Sequence, residues 1–318
     1  MADHGCQGRL GQRSITEVVG GHSPPYLYGG TMKRLRFTLL STLLLLAVSI
    51  APAFGVTSGD LALDIPSGKY EGVMTSVNKF GRAPSGVQTT ATDIWDRATQ
   101  APLQSIWVAP TQARQHNIAS DSTSDDGAPA GVGARTIRIY GLTDWDTVES
   151  SEDIVMNGTT DVLTVGSYVI IHRMKVLTKG ATAVNVGAIT DTAVTDGTVT
   201  AQINDGEGQT QMAIYGIPSI QDAYITRFYG TVNKASGGAA TINFSLMVNP
   251  EPDSELVNFL TKNTRGAQST GNSGDTWPWN PYMKISGPAI IKVQGIASGA
   301  DVEGSAGFDL ILMNNTFH

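Results

Sequence analysis

The chain has 318 residues, of which 41% are hydrophobic and 15% are charged, and its 21 basic and 28 acidic residues give a net charge of −7. This composition is too apolar for a disordered chain. It also lacks the clustered Lys and Arg that bind a phosphate backbone, apart from a short run at residues 33–36, so we expect no nucleic-acid partner. Frequent Gly, Ser, Thr and Val favour short strands joined by turns over long helices.

Residues 1–55 form a predicted leader. A basic stretch at residues 32–36 precedes an apolar run at 39–50 and small residues at 51–55, which is the layout of a secretory signal peptide. The apolar run is shorter than the roughly 20 residues that span a bilayer. We therefore predict a signal peptide at residues 32–55 and no stable membrane span in the mature chain. A retained anchor is the alternative.

Residues 56–103 are predicted to form an extended N-terminal arm. Gly, Ser and Lys interrupt isolated apolar residues between positions 61 and 82. A helical turn could begin at Thr92, but Pro102 limits its length.

Residues 104–200 are predicted to form a first β-sandwich module. Alternating or β-branched segments mark its strands, and Asn157-Gly158 is a strong turn signal. The predicted strands are residues 104–109, 135–140, 153–156, 161–165, 167–177 and 198–203.

Residues 201–318 are predicted to form a second β-sandwich module, which begins close to the Gly-rich turn at 204–208. Its predicted strands are residues 211–217, 223–232, 241–248, 289–294 and 307–313. The sequence thus predicts an all-β fold of two sandwich modules. One jelly-roll-like unit is the alternative.

A long polar segment at residues 262–281 is predicted to be a loop with aromatic residues near its end. Loops of this length are often functional. Trp277, Trp279 and Tyr282 are therefore candidates for a contact surface with a neighbouring subunit. Two other interpretations stay open, namely that the indoles close the end of a sandwich or that they stack on a glycan.

No catalytic or cofactor-binding residues are predicted. The five histidines, including His116 and His172, lack the paired spacing of a zinc site, and nucleophile-elbow, P-loop and dinucleotide motifs are absent from the sequence. His172 lies in a predicted strand and is interpreted as a partly buried strand residue. We therefore expect a protein that is not an enzyme.

No metal site is predicted either. Residues 121–127 carry Asp and Ser that could bind calcium, but an EF-hand spacing is missing, and a solvated loop is the simpler interpretation. Two carboxylate pairs, Asp144 with Asp146 and Glu149 with Glu152, have the residue types of a glycosidase. We interpret them as solvated loop residues as well.

Several strand-and-turn phrases across residues 78–313 resemble structural proteins of tailed phages, commonly placed among capsid-associated or decoration-type components. They are Lys79-Phe80-Gly81-Arg82, Thr92-Asp93-Ile94-Trp95-Asp96, Gly133-Ala134-Arg135-Thr136-Ile137-Arg138-Ile139-Tyr140-Gly141-Leu142, Asp153-Ile154-Val155-Met156-Asn157-Gly158-Thr159, Gly208-Gln209-Thr210-Gln211-Met212-Ala213-Ile214-Tyr215 and Ser305-Ala306-Gly307-Phe308-Asp309-Leu310-Ile311-Leu312. The signal-peptide-like segment departs from that family.

The resemblance implies a virion structural protein that forms a homo-oligomer and docks on a major capsid protein or another virion protein. Its expected location is the virion. The alternative is a secreted or cell-surface β-sandwich binding module, either an adhesin or a carbohydrate binder, released by signal-peptide cleavage.

Overall fold

The computed structural model describes residues 60–99, 103–233, 239–254, 258–270, 273–299 and 302–317. These residues form a short helix, α1 (Leu61–Asp64), sixteen strands and a C-terminal 3-10 helix (Asn315–Phe317). The strands are β1 (Met74–Val87), β2 (Thr92–Asp93), β3 (His116–Ser120), β4 (Ala134–Leu142), β5 (Ser150–Val155), β6 (Val162–Leu163), β7 (Ile170–Lys179), β8 (Ile189–Ala193), β9 (Val199–Ile203), β10 (Ile214–Ile217), β11 (Gln221–Asn233), β12 (Thr241–Asn249), β13 (Leu260–Gln268), β14 (Ser273–Ser286), β15 (Ala289–Ala297) and β16 (Val302–Asn314). The predicted all-β fold is confirmed.

Two antiparallel sheets form a first sandwich. One sheet has the strand order β1-β16-β11-β14, and the other has β10-β15-β12-β13, with β2 added beside β15. Alternate residues of both sheets bury their side chains in a shared core that includes Phe228, Phe244 and Phe308. The ring of Phe244 occupies the space where a side chain at Gly230 would lie, so a large residue on one sheet faces a missing side chain on the other.

Strands β3 to β9, which follow one another in the chain, form a second sandwich. Its sheets have the orders β6-β3-β8-β9 and β5-β4-β7. Ile118, Ile137 and Ile189 are fully buried in its core, together with Trp107. The Trp107 Nε1–H donates to the carbonyl oxygen of Thr200 at 2.7 Å, so the indole is buried with its polar atom satisfied.

Strand β15 is buried on both faces and separates the two cores. Ile291 and Val293 belong to the first core, whereas Ile290 belongs to the second. Between them, Lys292 extends toward Asp93 of β2, and its Nζ atom lies 2.7 Å from Oδ2. A strand buried on both faces has almost no room for polar side chains, and Lys292 is accommodated because Asp93 neutralises its charge. This ion pair lies at the junction of the two sandwiches.

The structure divides the chain at different points from the predicted modules. The predicted arm at residues 56–103 contains β1, which pairs with β16 from Met74–Met313 to Ala83–Gly304. The predicted boundary between residues 200 and 201 lies inside β9. The first sandwich is therefore built from both ends of the described chain, and such long-range pairing leaves no mark in the local alternation of residues.

The predicted loop at residues 262–281 is replaced by two strands, β13 and β14, which are the outer strands of the two sheets of the first sandwich. Most of their side chains are exposed, so the hydrophobic alternation that marks a half-buried strand is weak here. The predicted leader, residues 1–55, lies outside the described residues.

No helix within the described ranges is long and apolar enough to cross a membrane.

Candidate functional site

The three aromatic residues of the predicted contact surface lie on β14 but do not share one environment. Trp277 and Trp279 are partly buried and pack on Phe228, with ring centroids 5.6 Å and 6.3 Å away. Tyr282, in contrast, is 53% exposed. The indoles therefore close the side of the first core, and Tyr282 is the member of the set that faces solvent.

The alternation of side chains along β14 accounts for this difference, because Trp277 and Trp279 lie on the face that packs on the core and Tyr282 lies on the opposite, exposed face. The strand also carries a bulge. Ile225 of β11 pairs with Met283, but Arg227 pairs with Pro278, so the four residues 279–282 lie opposite the single residue Thr226. An insertion of this kind re-aims side chains at a sheet edge. Here the alternation nevertheless continues across the bulge, because Met283 packs against the first core and Tyr282 is exposed.

Strands β13 and β14 together form a flank of the first sandwich, which we call the outer flank. Each is the last strand in its sheet. Leu260 on β13 is 41% exposed, and the exposed Arg265 lies over the Trp277 ring, 5.6 Å from its centroid. Pro278 and Pro281 lack backbone N–H donors, which limits pairing of β14 with another strand.

A polar cavity of 640 Å³ lies where the first and second sandwiches meet. Charged groups line it from different elements, namely the buried Lys79 of β1 and His172 of β7, and the exposed Glu149 from the β4–β5 connection and Arg173 of β7. Sequence reasoning noted His172 and Glu149 separately but missed Lys79 and Tyr215. The signal that could have identified Lys79 is its position on β1, where the neighbouring residues on the same face, Val77 and Gly81, are apolar or small.

These groups form a connected network. Lys79 Nζ donates to the carbonyl oxygen of His172 at 2.5 Å, and His172 Nε2 lies 2.6 Å from a carboxylate oxygen of Glu149. The Tyr215 hydroxyl donates to the same oxygen at 3.4 Å, and its ring lies 4.3 Å from the imidazole. Two strands of the first sandwich are thereby tied to the second through side chains.

Burial shifts the proton affinities in this network. Desolvation, aided by the nearby Arg173, lowers the pKa of Lys79 to about 7. Desolvation also lowers the pKa of His172, despite its bond to Glu149. Burial acts to raise the pKa of Glu149, but the hydrogen bond and charge of His172 outweigh it and the net shift is downward. Lys79 is thus the group poised to change charge near neutral pH.

The loop considered for calcium is organised by its own hydrogen bonds. Asp125 is fully buried, which differs from the predicted solvated loop. Its carboxylate accepts from the Ser120 hydroxyl and from three backbone N–H groups, those of Ala134, Val186 and Gly187. Asp125 therefore acts as an anchor for the turn because all four donors converge on one side chain.

The carboxylates considered as a glycosidase pair also bond to nearby chain. Asp146 Oδ1 accepts from the Ser219 hydroxyl at 2.6 Å. Glu152 accepts from the backbone N–H groups of Val165 and Gly166, whereas Glu149 belongs to the cavity network. The structure thus separates these carboxylates into different environments. In the described part of the chain, no three His, Cys, Asp or Glu side chains are grouped to hold a metal ion.

No family model matches the chain, and no curated protein matches it. Among solved structures, the chain is similar to a structure of the infectious bursal disease virus Gt strain, with 10% identity over 77% of this chain and 74% of that chain and a TM-score of 0.22. It is also similar to the VP2 subviral particle of infectious bursal disease virus, with 12% identity over 76% of this chain and 72% of that chain and a TM-score of 0.18. At such TM-scores the likeness carries no inference about function.

Proposed function

We propose that the chain is a non-enzymatic virion structural protein of the capsid-associated or decoration type, which self-associates and docks on a particle surface. The phage-like phrases of the sequence span residues 78–313, and this range holds both sandwiches. The outer flank is the observation that carries the docking part of the proposal, because it offers two adjacent sheet edges with exposed apolar and aromatic side chains.

The chemistry of the outer flank suits a protein partner. Tyr282 and Leu260 supply exposed apolar area, and Tyr is enriched at protein interfaces. Lys262 and Arg265 on β13 are exposed cations, and a second copy of the chain carries 28 acidic against 21 basic residues as possible partners for them. A stable contact of this kind buries roughly 1,200 to 2,000 Å² in total.

A secreted or cell-surface glycan-binding module is the competing function. It requires aromatic faces that are free to stack on a sugar ring. Trp277 and Trp279 instead lie against Phe228, and Arg265 lies over the Trp277 ring. The indoles therefore already contact a core ring, and Trp277 is also covered by Arg265, so they are not free to stack on a sugar ring. This favours the structural role.

Mass spectrometry of purified particles and of culture supernatant from the same source tests the location. We expect peptides from residue 60 onward in the particles. Peptides that occur in supernatant and never in particles would contradict the virion role and support the secreted alternative.

Sedimentation tests the docking surface. We expect the wild-type chain to sediment as a homo-oligomer at micromolar concentration and Tyr282→Ala to shift it toward monomer. Leu163→Ala is the matched control, because Leu163 is 48% exposed on the second sandwich. An oligomer that is unaffected by Tyr282→Ala would move the contact away from the outer flank.

A further inference from the structure

The cavity at the junction of the sandwiches has the size of a ligand site. Its volume of 640 Å³ falls within the range of about 300 to 1,000 Å³ that holds small molecules in proteins. Its walls come from residues 75–80 of β1, from β10 and from β7. Because both sandwiches contribute, the cavity exists only when the whole described fold is assembled.

The charge of the lining favours an anion. Lys79 and Arg173 are opposed by one carboxylate, that of Glu149, and this carboxylate already accepts hydrogen bonds from His172 and Tyr215. Arg173 contacts the amide oxygen of Gln209 and the ring of Tyr140, both uncharged. An entering carboxylate therefore meets a guanidinium that can bind it through two parallel hydrogen bonds.

The rest of the lining favours hydroxyl groups beside an apolar ring face. Amide side chains of Asn78, Gln209, Gln221 and Asn314 line the cavity. Each NH₂ group has two N–H donors, and those of Asn78, Gln221 and Asn314 each make one hydrogen bond within the chain, which leaves a second N–H for a ligand. Val77 and Leu312 add apolar surface from the first core. This alternation of amide groups and aliphatic carbon matches the hydroxyl rim and C–H faces of a sugar.

We propose that this cavity binds a small acidic saccharide, with Arg173 and Lys79 receiving its carboxylate and the amide side chains its hydroxyl groups. The site is distinct from the outer flank, so its occupancy does not depend on how the chain docks. A bound carboxylate also stabilises the protonated form of Lys79, whose pKa is about 7 without ligand. Binding therefore takes up protons at pH 7.5 to 8.

Calorimetric titration of the full chain with glucuronate and with glucose tests the proposal. We expect glucuronate to bind at least about tenfold more tightly than glucose, since the two differ in the carboxylate. Arg173→Gln should reduce glucuronate affinity to the glucose level. Repeating the titration in buffers of different ionisation enthalpy at pH 8 should reveal proton uptake, which Lys79→Met abolishes.

Two matched controls separate the cavity from the general surface. Arg138 is a partly exposed arginine that pairs with Asp153 on the second sandwich, so Arg138→Gln should leave glucuronate binding unchanged. Tyr282→Ala should also leave it unchanged. Equal affinity for glucuronate and glucose, an equal loss in Arg138→Gln, or no heat with a panel of uronates up to about 10 mM would each overturn the proposal. Inorganic phosphate binding as tightly as glucuronate would overturn the saccharide assignment, because it would show selection for charge alone.

Discussion

Lys292 and Asp93 form a buried ion pair between the two cores, with Nζ and Oδ2 2.7 Å apart and both side chains almost fully excluded from solvent. The Asp93 carboxylate also accepts from the backbone N–H of Trp107 and from the Gln294 amide. Two side chains of β15 and the backbone of Trp107 therefore converge on one carboxylate, which ties the segment that leads into the second sandwich to the first sandwich.

Removing one member of this pair should destabilise the fold strongly. Lys292→Met leaves an uncompensated buried carboxylate, and we expect it to lower the free energy of unfolding by about 3 to 5 kcal/mol. Denaturant unfolding followed by circular dichroism measures the loss. In the double variant with Asp93→Leu, part of the loss should be recovered, because no unpaired charge remains.

The exposed pair Arg138–Asp153 provides the control for that experiment. Its atoms lie 2.5 Å apart, but both groups are solvated and screened, so Arg138→Gln should leave the unfolding midpoint unchanged. Similar losses for the two pairs would contradict the assignment of the buried pair as the structural one.

Lys79 should make stability depend on pH in the alkaline range. Its pKa is about 7 in the folded chain and ordinarily 10.5, so between these values the folded state binds fewer protons at Lys79 than the unfolded state. Stability due to this group therefore rises with pH from about 7 to 10.5, by at most about 1.4 kcal/mol per pH unit. Below pH 7 the full cost of burying the ammonium is present.

The Lys79→Met variant isolates this contribution. Subtracting its unfolding free energy from that of the wild type at each pH should give a curve that rises across the same window. A flat difference curve would mean that Lys79 is protonated equally in both states.

The sequence predicted the strands better than their partners. The alternating run at residues 135–140 corresponds to β4, where Ile137 and Ile139 are buried, and the turn at Asn157-Gly158 is present with a positive φ of 58° at Gly158. These signals are local. The pairing of β1 with β16 joins the two ends of the described chain, and Lys79 meets His172 across 93 positions, so local spacing contains no record of either contact.

Edge strands were the second source of error, and β14 shows why. Its Gly and Pro residues are typical of loops, yet they are tolerated because one side of the strand has no partner within the described sheet. The period-2 alternation of β14 is nevertheless kept across the bulge at residues 279–282, with Trp277 and Trp279 packed against the first core and Tyr282 exposed. Because the sequence predicted a loop over residues 262–281, no alternation was expected that would separate Trp279 from Tyr282.

The two kinds of aromatic residue on β14 should respond differently to truncation. Trp277→Ala removes a partly buried indole from Phe228 and should lower the free energy of unfolding by about 2 to 3 kcal/mol. Tyr282→Ala should leave the unfolding midpoint unchanged within error, since its ring is largely exposed. Thermal unfolding of the two variants side by side makes the comparison, and a large loss in Tyr282→Ala would show a hidden packing role.

Gly230 should not tolerate a methyl group. A Cβ atom there would lie 2.6 Å from Cδ2 of Phe244, which forces the two sheets of the first sandwich apart or the ring out of its position. We expect Gly230→Ala to cost about 1 to 3 kcal/mol. Gly299→Ala is the control, because its added Cβ meets no atom within 4 Å. Adding Phe244→Leu to Gly230→Ala should restore part of the loss, and no recovery would place the strain elsewhere.

Asp125 should be essential to the turn at residues 121–127 without any metal ion. Its carboxylate accepts four hydrogen bonds, so Asp125→Asn replaces one accepting oxygen with an NH₂ group that faces donors. We expect a loss of about 2 to 4 kcal/mol in the free energy of unfolding. Calcium and a chelator should each leave the wild-type melting temperature unchanged, because the oxygens that would bind the ion are already occupied by N–H and O–H donors. A calcium-dependent rise in melting temperature that is lost in Asp125→Asn would instead assign this turn as a calcium site.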